Sequence, residues 1–183
     1  MTFDKKGPQN TEQCLALALK AAKERGIHNI VVASSAGDTA LQLKEYAGDY
    51  NIVCVALAYG TRAPGETNMS DAVRSELEQA GIRVVFATHV LSGAERGLSR
   101  RHKGIYPVEI MADTLRMFGR GVKVGVECAI MAVDAGLIPY GEDVISIGGT
   151  AKGADSAIIL RPEHANNILE TQIREIICKP WEV

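Results

Sequence analysis

Two spacings of apolar residues alternate along the first half of the chain. Short, continuous apolar runs, which are typical of strands buried on both faces, occupy residues 29–33, 52–58 and 82–87. Apolar residues at helical spacing occupy residues 10–25, 39–47 and 70–80. A helix followed by three strands that alternate with helices predicts a parallel sheet covered on both faces.

The regular alternation stops after Thr88. Residues 89–106 are polar and basic, and we interpret them as a long loop or irregular excursion because they contain Gly93, Gly97 and Gly104. Pro107 is suited to the first turn of a helix, and a further helix ends before Gly136. More strands are predicted at residues 143–147, 156–160 and 173–178.

The connection between the fourth and fifth predicted strands is short. About seven residues, 148–154, separate them, whereas a parallel crossover needs a dozen or more, so we expect the fifth strand to be antiparallel. With the predicted strands numbered in chain order, the most economical sheet has the order 3-2-1-4-5. The sequence therefore predicts one domain over residues 1–183, an α/β protein whose mainly parallel sheet lies between two layers of helices.

Composition narrows the class of protein. The 183 residues include 20 Lys and Arg and 22 Asp and Glu, a net charge of −2, so we expect no nucleic-acid partner. The longest apolar run, residues 52–59, is too short to cross a bilayer, so we expect no membrane partner. The four cysteines are Cys14, Cys54, Cys128 and Cys178, and no two of them have the spacing of metal ligands or of a redox pair. We therefore expect reduced, buried thiols in a cytoplasmic protein without a metal site.

The predicted sheet has a switch point between its first and fourth strands, which is where open α/β sheets bind ligands. The loop after the first strand is Ser34–Thr39. Gly37 allows a tight turn, and the first amides of the following helix have no hydrogen-bond acceptor within that helix. Ser34, Ser35 and Thr39 add three hydroxyl groups. These groups suit a phosphate. The alternative is that Ser35 or Asp38 caps its own helix and that the loop binds no ligand.

A glycine-rich loop follows the fourth strand and faces the first loop across the predicted crevice. Gly148 and Gly149 permit the close approach of a ligand, Thr150 follows them, and Lys152 can supply a cation. The alternative is a tight connection between antiparallel strands with a solvent-facing lysine.

Three further features carry candidate chemistry. Thr88 and His89 follow the third predicted strand, at the same edge of the sheet as the crevice. Glu127, in an otherwise apolar helix, is either a ligand contact or part of the solvated side of that helix. The basic residues between Arg96 and Lys103 either close over an anionic ligand as a lid or form a solvated loop or subunit contact.

The first strand and its loop resemble a known family. Residues 30–40 are similar to the first strand and effector-phosphate loop of the pyruvate kinase C-terminal domain, whose pattern is matched by Ser34, Gly37, Thr39 and Ala40. Ala36 and Asp38 depart from that pattern, which counts against a bisphosphate sugar as the ligand. Residues 147–155 and 158–167 resemble stand-alone pyruvate kinase alpha/beta domain proteins.

This resemblance implies a fold, a ligand and an assembly. The fold is that of the pyruvate kinase C-terminal domain, without the catalytic barrel and hence without pyruvate kinase activity. The implied cofactor is flavin mononucleotide (FMN), with His89 able to contact a ring carbonyl or ribityl oxygen, and the implied assembly is a homo-oligomer. The expected cofactor-binding residues are Ser34, Ser35, Ala36, Gly37, Asp38, Thr39, Thr88, His89, Gly148, Gly149, Thr150 and Lys152.

Three functions are weighed against each other. The first is a protein that holds a phosphorylated small molecule, with FMN the leading candidate. The second is an enzyme in the same cleft, a flavin-dependent oxidoreductase or a sugar-phosphate enzyme, in which protons or charge are handled by His89, Glu127 or Lys152. The third is a structural domain. We favour the first, because the sequence contains no evident nucleophile–base pair and so assigns no catalytic residue.

Overall fold

A seven-stranded sheet organises the chain in the computed structural model, which describes residues 1–182. The strands are β1 (Thr2–Phe3), β2 (Asn29–Ala33), β3 (Asn51–Leu57), β4 (Arg83–Ala87), β5 (Val144–Gly148), β6 (Ser156–Arg161) and β7 (Gln172–Pro180). The α-helices are α1 (Thr11–Arg25), α2 (Asp38–Leu41), α3 (Asp71–Gln79), α4 (Ala94–His102), α5 (Pro107–Arg116) and α6 (Arg120–Asp134).

The predicted strand order is confirmed. Across the sheet the order is β1-β7-β6-β5-β2-β3-β4, so the predicted 3-2-1-4-5 corresponds to β4-β3-β2-β5-β6. β2 is parallel to β3 and β5, and β6 is antiparallel to β5 and β7. β1 pairs in parallel with β7 at the edge of the sheet and was not predicted, because two residues are too few to show a period.

Helices cover both faces of the sheet. Neighbouring residues of a strand point to opposite sides, so Ile30 and Val32 of β2 pack in one core with α1 and α3 residues, including Leu15 and Leu77. Val31 packs on the other side in a second core, which is formed largely by α6. The result is the predicted arrangement of three layers, and the four cysteines are buried within it, as expected.

Two segments differ from the prediction. The helix expected over residues 39–47 is broken into α2 and a 3₁₀ turn, Lys44–Tyr46, and the break at Leu43 places that side chain wholly in the core. Residues 89–106, expected to be a loop, contain α4. None of the α4 residues is buried, so this helix has no apolar stripe from which it could be predicted.

Glycines allow α6 to lie very close to β5. A Cβ atom on Gly148 would overlap the carbonyl oxygen of Gly121 and lie 3.0 Å from the amide nitrogen of Gly125. The hydroxyl of Ser146 also donates to the Gly125 carbonyl at 2.7 Å. This close packing brings the first turns of α6 to the carboxyl edge of the sheet. Over residues 1–182, none of the helices combines the length and apolar character needed to cross a membrane.

Candidate functional site

The loops after β2 and β5 start side by side. Val32 of β2 pairs with Ile147 of β5, and the two strands are parallel, so both chains leave the sheet at its carboxyl edge. β4 lies two strands away from β2, with β3 between them. Since neighbouring strands are about 4.8 Å apart, Thr88 and His89 begin roughly 10 Å from the β2 loop. Thr88 is exposed there and His89 is half-buried.

The loop Ser34–Thr39 makes a tight turn into α2. Gly37 has φ 95°, and a Cβ atom there would overlap Cγ1 of Val73, so glycine is required on two grounds. The buried Ser34 hydroxyl accepts hydrogen bonds from the amides of Thr39 at 3.1 Å and Ala40 at 3.4 Å. Gly37 occupies the N-cap position of α2, and the side chain that accepts from its first amides is that of Ser34 rather than that of Ser35 or Asp38.

The capped turn leaves three backbone amides of the loop without an acceptor within residues 1–182. Among the described residues, no acceptor is found for the amides of Ser35, Ala36 and Gly37. Asp38, which the sequence offered as an alternative cap of this helix, has an exposed side chain that accepts none of these amides. The turn therefore has three adjacent amide donors without an acceptor in the described part of the chain. Ser35 and Ala36 are half-buried there, whereas Gly37 and Thr39 are buried.

The loop after β5 is held tightly against the N-terminal segment. One carboxylate oxygen of the buried Asp155 accepts hydrogen bonds from the amides of Gly7 at 3.1 Å and Thr150 at 3.2 Å. A Cβ atom on Gly149 would overlap the carbonyl oxygen of Gly153, so this glycine closes the turn. Lys152 is exposed. These contacts favour the tight-connection interpretation for the glycines of this loop and leave Lys152 as its available cation.

A cavity of about 530 Å³ borders Thr150 and the start of α6. Its lining includes three cationic side chains, from Lys6, Arg116 and Arg120, and two acidic ones, from Asp113 and Glu182. Small-molecule sites commonly have volumes of about 300–1,000 Å³, so a ligand has room beside the β5 loop, but residues 34–39 do not line this cavity.

A buried cluster of charged side chains joins α6 to the segment after β4. Glu127 has no exposed surface, and its Oε1 accepts a hydrogen bond from the amide of Leu91 at 3.1 Å. Its Oε2 pairs with the ammonium group of Lys123, which is 5% exposed. The same oxygen lies 3.3 Å from Nδ1 of His89, which is too poorly aligned for a hydrogen bond. The Leu91 amide, the Lys123 ammonium group and the His89 ring thus converge on the Glu127 carboxylate.

The cluster alters the protonation of its members. Burial acts to raise the pKa of Glu127, but His89 and Lys123 outweigh it and hold that pKa below its ordinary value. Burial lowers the pKa of Lys123, and its interaction with Glu127 only partly offsets this effect. The pKa shifts thus favour the ionised form of Glu127, and His89 is the partly exposed member through which the cluster meets solvent.

Sequence reasoning missed Lys123 and left Glu127 between two interpretations. Both are buried on the side of α6 that faces the segment after β4, so Glu127 is not on a solvated side. A signal was present in the sequence, because Lys and Glu four residues apart in an otherwise apolar helix occupy the same face and can pair there.

The chain is similar to proteins of one family. The family model described as "Pyruvate kinase, alpha/beta domain" matches residues 12–160, which run from α1 into β6. Among solved structures, a pyruvate kinase from Cryptosporidium parvum is similar with 16% sequence identity and a TM-score of 0.42. That match covers 82% of this chain and 22% of the other, so the chain spans about a fifth of that enzyme's length. The family match confirms the resemblance inferred from the sequence.

Proposed function

Because the chain belongs to the pyruvate kinase alpha/beta domain family, we propose that it binds a phosphorylated small molecule, with FMN the leading candidate, and has no pyruvate kinase activity. The phosphate would lie on the turn Ser35–Gly37. One observation carries this proposal: three adjacent amides of that turn have no acceptor among the described residues. Amides that converge at a glycine turn form a concave anion site, and a phosphate offers the acceptor oxygens that they need.

Other groups at the same edge support the proposal. The hydroxyls of Ser35 and Thr39 add donors to the turn, and Lys152 supplies a cation from the β5 loop. The Ser34 hydroxyl already satisfies two amides of α2, so the turn is formed before a ligand binds and little ordering is needed. The remainder of an FMN molecule would extend toward the neighbouring strand ends, where Thr88 and His89 are candidate contacts.

FMN supplies hydride and electron transfer when it is bound. The chain's own contribution would be to hold the phosphate and to fix the ligand's orientation at the switch point. Tyr59, which follows β3 and is 52% exposed, is an aromatic side chain at the same edge that suits a planar ring.

The experiment compares FMN with riboflavin, which differs from FMN only in lacking the phosphate. Titration monitored by flavin fluorescence should show tighter binding of FMN to the unmodified protein. In the variant Ser35→Ala/Thr39→Ala, FMN affinity should fall at least about tenfold, because each hydrogen bond to a charged group contributes about 1.5–3 kcal/mol. Riboflavin affinity should not change.

Ser75→Ala is the control, because it removes a hydroxyl from the exposed face of α3, away from the turn. It should bind FMN as the unmodified protein does. Equal affinities for FMN and riboflavin in the unmodified protein, or undiminished FMN binding in Ser35→Ala/Thr39→Ala, would contradict a phosphate on this turn. Thermal unfolding of each variant checks that the fold is retained.

The buried cluster favours a second candidate function, an enzyme that uses the same cleft. A half-buried histidine 3.3 Å from a fully buried carboxylate is positioned to exchange protons with solvent or a ligand. If this function holds, NADH or NADPH should bleach the flavin absorbance under anaerobic conditions. His89→Gln should slow that reaction by a larger factor than it weakens FMN binding, because His89 is also a candidate FMN contact. The absence of bleaching would contradict the enzyme function and leave only the binding function.

A further inference from the structure

A second cavity, of about 430 Å³, lies between α4 and α5. Six of the side chains that line it are charged. Four of these are cationic and two are acidic: Arg96, Arg100, Lys103 and Arg116, with Glu109 and Asp113. The chain as a whole carries a net charge of −2, so this local excess of positive charge is a feature of the cavity rather than of the composition.

The two acidic groups are already engaged. Glu109 accepts hydrogen bonds from the Ser99 hydroxyl at 2.8 Å and from the Tyr106 amide at 3.1 Å, and it thereby fixes the start of α5. Asp113 pairs with Arg116. Within residues 1–182, Arg96, Arg100 and Lys103 have no acidic partner within 4.0 Å. Three solvent-exposed cations therefore border the cavity without a counter-charge from the described residues.

The cavity has a fixed floor. Leu91 lines it and is almost wholly buried, and its amide is held by Glu127 of the buried cluster at 3.1 Å. The far end of α4 is also constrained, because Lys103 adopts a left-handed conformation with φ 59° and its amide donates to the Ser99 carbonyl at 2.8 Å. A non-glycine residue in this conformation is uncommon and marks a locally specified backbone.

We propose that this cavity is a second ligand site, separate from the phosphate turn, and that it takes a small polyanion with two or more phosphate groups. One guanidinium group can donate two parallel hydrogen bonds to the oxygens of a phosphate, which gives both affinity and geometric selectivity. Two arginines and one lysine without counter-charges match a ligand with several negative charges better than a single carboxylate. The volume suits a small molecule, and the lining lacks the aromatic side chains on which single-stranded nucleic acids stack.

The experiment uses inorganic pyrophosphate as the probe. Isothermal titration calorimetry on the full chain, at constant ionic strength, should show saturable binding. Arg100→Gln should weaken it about tenfold or more, because a hydrogen bond to a charged group is lost. Arg101→Gln is the matched control, since Arg101 lies next to Arg100 on α4, is exposed and does not line the cavity. It should bind pyrophosphate as the unmodified protein does.

A second measurement, by NMR spectroscopy, distinguishes this site from the proposed phosphate-binding turn Ser35–Gly37, which would also attract pyrophosphate. Amide chemical-shift changes in two-dimensional NMR should include residues 91–104 of the unmodified protein, and Arg100→Gln should remove these changes while leaving any at residues 35–39. Equal weakening by Arg100→Gln and Arg101→Gln would reveal only general charge attraction and would overturn the proposal. Chemical-shift changes confined to residues 35–39 would also overturn it. The same holds if a single-stranded oligonucleotide binds more tightly than pyrophosphate and Arg100→Gln weakens that binding.

Discussion

At the scale of single residues, Glu127 is a charged side chain with no exposed surface. A buried carboxylate is unfavourable unless it is paired and hydrogen-bonded, and here it receives the Leu91 amide and the Lys123 ammonium group. Removing one member of such a pair leaves the other charge buried without compensation, which costs about 3–5 kcal/mol in measured cases. The cluster is therefore a place where a nearly isosteric change should have a large effect.

We expect Glu127→Gln to lower the free energy of unfolding by about 3 kcal/mol at pH 7, because it leaves Lys123 without a counter-charge. Urea denaturation followed by circular dichroism measures this loss. Lys123→Met serves as the second arm of a double-mutant cycle. Its effect should be smaller in the Glu127→Gln background than in the unmodified protein, and additive effects would show that the two charges do not stabilise each other.

The same variant tests the direction of the pKa shift. Glu127 has a folded-state pKa below its ordinary value of 4.5, so it binds protons less readily in the folded state than in the unfolded state. Its contribution to stability is therefore complete above pH 4.5 and is lost as the pH falls through the lower, folded-state pKa. The stability difference between the unmodified protein and Glu127→Gln should accordingly shrink below pH 4.5.

At the scale of elements, the contact between α6 and β5 positions both the cluster and the β5 loop. The helix approaches the strand so closely that Gly148 faces the backbone of Gly121 and Gly125 with no room for a methyl group. Backbone atoms cannot move aside as the end of a side chain can. The separation of these two elements is therefore fixed by glycine rather than by the larger apolar residues around it.

Gly148→Ala should lower the free energy of unfolding by about 3 kcal/mol, because overpacking in a well-packed core costs about 1–3 kcal/mol and sometimes more. Gly125→Ala is the graded comparison. Its Cβ atom would lie 3.2 Å from Cδ1 of Ile158, which is the end of a flexible side chain, and alanine favours the helix by about 1 kcal/mol. Its stability should stay within about 1 kcal/mol of the unmodified protein. Similar urea midpoints for all three proteins would contradict a backbone-limited contact.

Sequence patterns predicted the elements correctly where burial produced a run or a regular spacing of apolar residues. The apolar runs located β2 to β7, and the short link between β5 and β6 gave their antiparallel pairing. α4 was missed because it buries no residue. The Ser34 cap was missed because it depends on the positive φ of Gly37, which folds the Thr39 amide back onto a residue five positions earlier. Roles of the site residues in binding FMN remain predictions, as does the homo-oligomer.

At the scale of the whole molecule, the N-terminal segment ties the two ends of the described chain together. β1 adds a strand beside β7, where the Lys179 amide donates to the Met1 carbonyl at 3.2 Å and the Trp181 amide donates to the Phe3 carbonyl at 2.8 Å. The Phe3 side chain is 5% exposed and belongs to the core that contains Cys14 and Cys178. Without β1, β7 would present an unpaired edge to solvent.

Phe3→Ala should therefore lower the free energy of unfolding by about 3 kcal/mol, since a buried phenylalanine is lost and a cavity remains. Trp181→Ala is the control, because that side chain is 76% exposed at the same edge and its backbone hydrogen bond is unaffected by the change. Its stability should change by no more than about 0.5 kcal/mol. Amide hydrogen exchange should also become faster in β7 of Phe3→Ala, because β1 separates from it more often. If both variants unfold at the same urea concentration, β1 adds hydrogen bonds at the edge without anchoring the core.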